Sequence, residues 1–195
     1  MTTSSSSPQR GLDAGPIIYS LLSGHPASAI CESYIRGHSG WFTTAATLLE
    51  VDAVLRKVYG VDPMLAAGKL AQFVVGPIVI SAVDAGLATS AMVCASSFGI
   101  DLGDAVLLQA CQLHGVATIC TDDDKLAAVC GQVGLTAETP IDSAARRQIA
   151  AWESANLPRK GLARVLFQVR QWIGQQNSDL AQDFWNLTGG GSHLP

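Results

Sequence analysis

Residues 99–126 read GIDLGDAVLLQACQLHGVATICTDDDKL, and this stretch decides the fold of the chain. Its apolar residues first recur at helical spacing, which predicts a helix with Asp101 at its N-cap and Gly115 at its end. The run 116–120, VATIC, then predicts a short buried strand of a parallel sheet. Residues 121–124, TDDD, follow that strand directly. Because like charges repel at close range, acids gathered at the carboxyl end of a strand indicate a metal site.

The rest of the chain alternates strands and helices. We expect further strands at 11–13, 41–44, 77–80 and 135–138, with helices between them. The connections are too long for hairpins, which predicts a parallel sheet covered by helices on both faces. Asp62, ahead of Pro63, is a good N-cap for one of these helices, and Asp84 or the residue before it begins another.

Charge divides the chain into an acidic body and a basic extension. Residues 11–142 carry 13 acidic and 5 basic side chains, a net charge of −8. Residues 143–170 carry one acidic and six basic side chains, a net charge of +5. We expect one α/β domain over 11–142, a basic amphipathic helical extension over 143–188, and tails at 1–10 (disordered) and 189–195.

Apolar residues of the extension recur at helical spacing between Leu162 and Ile173, with Trp152 and Trp185 on flanking helices. This predicts a helical hairpin that packs on the domain or across a dimer, and its basic face suits a phosphate backbone. The N-terminus has no apolar segment of the kind found in signal peptides, and no run is long enough to span a bilayer. The five cysteines form no CxxC motif, which indicates buried reduced thiols in a cytoplasmic protein. From the lack of a spanning run we expect no membrane partner.

Four acids lie at comparable places in the predicted elements. Asp13 ends the first strand, and Glu50 lies in the first turns of the helix after the second strand. Asp104 lies in the first turn of the central helix, and Asp123 follows the fourth strand. Because each belongs to the carboxyl edge of the sheet or to a nearby helix start, we expect the four to meet in space. Ligands that are all oxygen suit Mg²⁺ or Mn²⁺ and argue against zinc.

The ordered set resembles the PIN-domain nucleases, most of all the toxins of bacterial toxin–antitoxin pairs. The resemblance covers roughly residues 11–142 and lies in Asp13 before an apolar helix, Glu50 in TTAATLLEV, Asp104 in GIDLGDAVLLQACQLHG and Asp123 in TDDDKL. It implies a three-layer α/β/α domain, Mg²⁺ or Mn²⁺ held by these acids, and hydrolysis of RNA phosphodiester bonds. It also implies a homodimer and an antitoxin protein as partner.

Each candidate ligand has a structural alternative. Asp104 could form a capping box with Asp101, which is otherwise an outer candidate for the site. Asp122 is the alternate to Asp123, which the T-x-D-x-x-apolar spacing of the family selects, and Asp124 then suits the N-cap of the next helix. Asp13 could be a turn residue. Two further sequence features are weaker: apolar neighbours predict a largely buried Glu50, and Thr44 and Thr121 are placed to hydrogen-bond carboxylates.

The sequence also bears on three other functions. An aspartate-dependent phosphatase needs a second acid two residues after its nucleophile, where this chain has Gly15. A dinucleotide-binding domain needs a G-x-G-x-x-G motif after the first strand, which the sequence lacks. The remaining alternative is a catalytically silent PIN-fold module that uses its C-terminal helices to bind a partner.

Overall fold

The structure is a computed structural model and describes residues 8–157 and 162–188, with the side chains of 162–164 excepted. Five strands form within these residues: β1 (Arg10–Leu12), β2 (Trp41–Thr44), β3 (Ile78–Ser81), β4 (Thr118–Cys120) and β5 (Thr136–Glu138). The helices described are α1 (Ala14–Leu21), α2 (Ser28–Gly37), α3 (Ala45–Lys57), α4 (Pro63–Val74), α5 (Ala85–Phe98), α6 (Leu102–Leu113), α7 (Asp124–Gln132), α8 (Ser143–Asn156), α9 (Leu162–Gly174) and α10 (Ser178–Leu187).

The five strands form one parallel sheet, as the sequence predicted. Their order is β3-β2-β1-β4-β5, and every neighbouring pair is parallel. The chain moves from β1 outward to β3 on one side and from β4 outward to β5 on the other. The direction of winding therefore reverses between β1 and β4. In open α/β sheets, the crevice beyond the carboxyl ends of such a strand pair is where ligands bind.

Alternate residues of the strands face two helical layers. Phe42 and Ile119 are fully buried against a layer built from α5, α6 and α7. Their neighbours Trp41 and Cys120 face the opposite layer, which α1, α3 and α4 form around Leu12. Because side chains alternate across a pleated strand, one sheet separates two apolar cores. This is the expected three-layer α/β/α arrangement.

The central helix α6 lies unusually close to the middle of the sheet. Gly11 in β1 makes this approach possible, since a Cβ at this position would lie 2.6 Å from the Sγ atom of Cys111. The buried face of α6 includes Ala105, Leu108 and Cys111, close to the face that the apolar spacing predicted. The close packing of α6 on β1 brings the first turn of α6 near the carboxyl end of the sheet.

One capping prediction is confirmed and one was wrong. Asp101 is the N-cap residue of α6, as predicted, although its side chain accepts no hydrogen bond from the helix. Asp123, not Asp124, caps α7: its Oδ1 atom accepts from the backbone N–H groups of Lys125 (2.7 Å) and Leu126 (2.9 Å). Asp123 has the extended backbone of a cap (φ −80°, ψ 117°), whereas Asp124 is already helical.

The first helix of the basic extension packs on the α/β domain. Ala145 and Ile149 of α8 join a small buried cluster with Cys31 of α2 and with Ile141. Trp152 of α8 makes a second contact with the domain, where its ring meets the ring of His25 edge-on. The expectation of an extension packed on the domain thus holds for α8.

Helices α9 and α10 pack against each other, with Phe167 edge-on to Trp185 at 6.0 Å between ring centroids. The apolar face predicted for α9 is only partly covered, since Val165 and Trp172 are 53% and 61% exposed. The reason is that α10 buries only Ala181 and Trp185, which together cover one side of α9.

The ends of the chain differ from the predicted boundaries. Arg10 already belongs to β1, so the expected tail over 1–10 reaches too far; residues 1–7 and the tail at 189–195 lie outside the described residues. All five cysteines are buried and free. In the described part of the chain, no single helix is long and apolar enough to cross a membrane, and α5 and α6 reach that length only as a pair bent by 116°.

Candidate active site

Asp13 lies at the carboxyl end of β1, where it caps α1 and is 7% exposed. Both of its carboxylate oxygens have a partner: Oδ1 accepts from the backbone N–H of Ala14 (2.7 Å) and Oδ2 accepts from the hydroxyl of Thr121 (2.7 Å). Burial raises the pKa of Asp13 to about 7 against the effect of the Thr121 hydrogen bond, with repulsion from Asp104 and Asp122 adding to the rise. A carboxylate that is buried beside other acids is costly to ionise without a nearby cation.

Thr121 links the acids that follow β1 and β4. It is buried, donates its hydroxyl to Asp13, and accepts a hydrogen bond from the backbone N–H of Asp123 at 3.0 Å. The prediction that Thr121 hydrogen-bonds a carboxylate is therefore confirmed. Thr44 does not do so: it caps α3 by accepting from the N–H of Thr47.

Asp104 lies in the first turn of α6, as predicted, and is half-buried. Burial raises its pKa to about 7, and repulsion from Asp123 and Glu50 adds to the rise. Glu50 comes from α3 and lies against the same turn, since a Cβ at Gly103 would be 2.8 Å from its Oε2 atom. The prediction of a largely buried Glu50 was wrong: the residue is exposed, although partial burial of its carboxylate raises its pKa and repulsion from Asp101 adds to the rise.

Asp122 is half-buried, whereas its neighbour Asp123 is exposed. A Cβ at Gly15 would lie 1.9 Å from the Oδ1 atom of Asp122, so any larger residue at the start of α1 would force the Asp122 side chain to move. Burial raises the pKa of Asp122, while hydrogen bonding from Tyr19 and the charge of Arg146 lower it. Gly15 occupies the position where an aspartate-dependent phosphatase would need its second acid. In this chain that position makes room for Asp122, which follows β4.

A cavity of about 350 Å³ opens over these acids and is lined by Gly99, Asp101, Asp104, Asp122, Asp123, Asp124 and Lys125. We call it the acidic pocket. Asp13 does not line it but is near enough for its charge to interact with that of Asp104. Glu50 does not line the pocket but lies against the first turn of α6 at Gly103. The acids come from β1, α3, α6 and the end of β4, so residues up to 110 positions apart in sequence share one region.

The acids do not form a ready-made metal cage. Among residues 8–157 and 162–188, no three acidic, histidine or cysteine side chains are arranged so that they could hold a metal ion as they lie. The donor set is nevertheless made of carboxylate oxygens alone, which is the chemistry that suits Mg²⁺ or Mn²⁺. The raised pKa values of Asp13 and Asp104 come first from burial and then from repulsion by neighbouring acids, and a bound cation would oppose both effects.

Arg146 is the residue near the pocket that sequence reasoning did not single out. It lies on α8, and its Nη2 atom is 3.2 Å from Oδ1 of Asp124. The sequence offered one signal, the basic composition of the extension, but did not indicate which of six basic side chains would reach the acids. That depends on the direction in which α8 leaves β5.

A buried aromatic cluster lies between α8 and the domain. The ring of His25 stacks on Tyr19 at 4.9 Å between centroids and meets the Trp152 ring edge-on at 4.8 Å. The same Tyr19 acts on Asp122, so the anchor of α8 and the acidic pocket share a side chain. Burial lowers the pKa of His25, which keeps the ring neutral.

The geometry can be compared with known proteins. The family model of the PIN domain matches residues 12–132, which is more than half of the chain. The chain belongs to the PIN domain family. Membership supports a nuclease activity, in agreement with the expected family, and the matched range contains Asp13, Glu50, Asp104 and Asp123.

The chain is similar to several solved structures at low sequence identity. Mycobacterium tuberculosis VapC20, described as a sarcin–ricin loop cleaving toxin, is 14% identical with a TM-score of 0.55, over 62% of this chain and 95% of VapC20. PAE2754 from Pyrobaculum aerophilum is 18% identical with a TM-score of 0.52, over 75% of this chain and 98% of PAE2754. A toxin–antitoxin complex from Klebsiella pneumoniae gives a TM-score of 0.49 at 19% identity, over 68% and 98% of the two chains. No curated protein sequence matches the chain.

Proposed function

We propose that this PIN domain protein is a divalent-metal-dependent endoribonuclease that hydrolyses RNA phosphodiester bonds at the acidic pocket. The observation that carries the proposal is the meeting of Asp13 and Asp104 beyond the carboxyl ends of β1 and β4. Asp13 is buried and hydrogen-bonded to Thr121, and it lies near enough to Asp104 for the two charges to repel. Asp123 and Glu50 both act on Asp104 from other elements.

Asp13, Asp104 and Asp123 would hold the cation, with Glu50 as a further ligand or as a residue that orients water. A bound divalent cation would supply a water of lowered pKa as nucleophile and would neutralise charge on the phosphate. Mg²⁺ and Mn²⁺ are the expected ions, because every candidate ligand is a carboxylate.

The protein's own contribution is orientation. The Ala14 N–H and the Thr121 hydroxyl each take one lone pair of Asp13, which fixes the plane of its carboxylate and leaves further lone pairs on both oxygens. The cap of α7 fixes Asp123 in the same way, since both backbone donors bind Oδ1. Two of the three proposed ligands are therefore preorganised by hydrogen bonds, Asp13 by one backbone N–H and a threonine hydroxyl and Asp123 by two backbone N–H groups.

RNA as the substrate follows from analogy with VapC20, whose likeness to this chain is one of fold. The resemblance to the toxin-type PIN nucleases further leads us to propose that the protein is a toxin, restrained by an antitoxin protein and acting as a homodimer on cytoplasmic RNA. We expect water to attack the phosphorus in line with the O3′ atom, so that the P–O3′ bond breaks and the products carry 5′-phosphate and 3′-hydroxyl ends.

One observation favours the catalytically silent alternative: the carboxylates, as they lie, form no set of three that could hold an ion. The two functions differ in a simple assay. Purified protein is incubated with labelled single-stranded RNA in EDTA, Mg²⁺ or Mn²⁺, and the product ends are analysed. The proposal predicts cleavage that needs the cation.

The decisive variant is Asp104→Asn, which removes one charge without changing the shape of the side chain. We expect it to abolish cleavage while its melting temperature stays at or above that of the wild type. The matched control is Asp62→Asn, an exposed cap of α4 where asparagine caps equally well, and it should cleave normally. Wild-type cleavage by Asp104→Asn would remove Asp104 from the mechanism, and a wild-type protein inert in every cation would favour the silent module.

A further inference from the structure

Helix α8 brings a positive charge to the edge of the acidic pocket. The Nη2 atom of Arg146 lies 3.2 Å from Oδ1 of Asp124, which lines the pocket. Its charge also reaches Asp122 on the opposite side of Asp123. Lys125, from the start of α7, lines the same pocket. Arg146 lies outside the range 12–132 that the PIN family model matches.

The helix that carries Arg146 is held on the domain along its length. Asp142 caps its first turn, with Oδ1 accepting from the Ala145 N–H at 2.7 Å. Ile149, 7% exposed, packs in the cluster around Cys31. Further along, the hydroxyl of Tyr59 donates to Glu153 at 2.7 Å. Arg146 therefore extends from a fixed helix and not from a loose tail, which is what a positioned binding residue requires.

The ion pair with Asp124 leaves Arg146 available for a stronger partner. The side chain of Asp124 is 87% exposed and that of Arg146 is 40% exposed. Exposed ion pairs contribute little to stability, because water already solvates both charges. A phosphate, by contrast, can accept two charge-assisted hydrogen bonds from one guanidinium group.

An acidic pocket also creates a problem that Arg146 is placed to solve. Residues 11–142 carry a net charge of −8, which repels a polyanion approaching the pocket. The extension that follows is basic, and α8 is its first helix. A cation at the rim would attract the RNA strand and fix one phosphate beside the acids.

On these grounds, and resting on the proposed ribonuclease function, we infer that Arg146 binds a backbone phosphate of the RNA strand at the rim of the acidic pocket, with Lys125 as a second contact. Arg146 is a positioning residue in this account, since it holds the substrate and takes no part in activating water. The expected consequence is a change in substrate affinity at an unchanged rate of the chemical step.

Single-turnover cleavage of a fluorescein-labelled RNA of about a dozen nucleotides in Mn²⁺ separates these two quantities. For Arg146→Ala we expect the half-saturating protein concentration to rise roughly tenfold, as for one lost charge-assisted contact. The maximal rate should stay within about twofold. The dependence of log affinity on log salt should become shallower by about 0.7, the value for one phosphate contact to a single strand. Arg146→Lys should keep the salt dependence and recover part of the affinity.

Arg36→Ala is the matched control. Arg36 is also exposed and paired with an acid on a helix, Glu32 at 2.7 Å, but it lines a cavity near Trp41 and Ile78, where β2 and β3 begin. That cavity lies at the amino ends of these strands, whereas the acidic pocket lies beyond the carboxyl ends of β1 and β4. We expect this variant to match the wild type in affinity and salt dependence.

The outcomes are distinct. If the wild type cleaves and folded Arg146→Ala has the same affinity and the same salt dependence, the inference is wrong and the ribonuclease function stands. A lower melting temperature for Arg146→Ala with an unchanged salt dependence would mean that Arg146 stabilises the fold and does not bind phosphate. This result would also overturn the inference. If the wild type cleaves no RNA in any cation, the proposed function fails and the inference fails with it.

Discussion

Replacing Asp104 by asparagine should make the metal-free protein more stable, and more so at high pH. Burial and repulsion raise the pKa of Asp104 from 3.8 to about 7. Between these values the folded protein binds more protons than the unfolded chain. The free energy of unfolding of the wild type therefore falls as the pH rises from about 4 to about 7. Asparagine carries no charge and escapes this loss.

The size of the effect follows from the two pKa values. At about 1.4 kcal/mol per pH unit, a rise from 3.8 to about 7 corresponds to an upper limit of about 4 kcal/mol. Asp104 is half-buried, so solvent screening reduces this, and we expect the advantage of Asp104→Asn to grow by about 1–3 kcal/mol between pH 5 and pH 8. Loss of the Asp104 charge also removes a repulsion that raises the pKa of Asp13.

Urea unfolding in EDTA at pH 5 and pH 8 measures the effect, with Asp62→Asn as the control whose difference from the wild type should not depend on pH. Adding Mn²⁺ at pH 8 gives the second half of the test. A ligand at about 100 times its Kd stabilises a folded protein by about 2.7 kcal/mol. The wild type should gain such stability and Asp104→Asn should not. An equal advantage of the variant at both pH values would refute the reasoning, because the Asp104 charge would then be neither buried nor repelled.

Two further predictions concern the support of the site. Thr121→Val removes the hydroxyl that donates to Asp13, and we expect urea unfolding to show a loss of about 1–3 kcal/mol from leaving a buried partner unpaired. Wild-type stability would show that water replaces the hydroxyl. Gly15→Ala places a Cβ 1.9 Å from Asp122, so its melting temperature should fall, whereas Gly68→Ala in α4, where a Cβ meets nothing within 4 Å, should raise it. A Gly15→Ala protein as stable as Gly68→Ala would show that Asp122 moves aside without cost.

The sequence was a good guide wherever the decisive signal was local. Strand β2 lies where WFTT predicted it, and Asp62 and Asp84 cap the helices they were expected to cap. Period-two alternation and helical spacing act over a few residues, so they survive any tertiary arrangement. The order of the strands was not predictable in this way, but parallel connections and the positions of the acids restricted it.

The site was predicted less completely, for two physical reasons. Three consecutive aspartates have the same chemistry, and only the backbone shows that Asp123 caps α7 while Asp122 turns toward Gly15. Burial is also a property of the whole fold, so the apolar neighbours of Glu50 did not reveal that it is exposed. Arg146 reaches the acids through the direction of α8, which no pattern in the sequence encodes.

The central claim is that a divalent cation replaces the repulsion among these acids, and titration calorimetry with Mn²⁺ tests it most directly. Because Asp13 and Asp104 have pKa values of about 7, ion binding at pH 6.5 should displace protons from the folded protein. The observed enthalpy should then change with the ionisation enthalpy of the buffer, and binding should be lost in Asp104→Asn. A wild-type protein that takes up no Mn²⁺, or that binds it equally well after Asp104→Asn, would contradict the account.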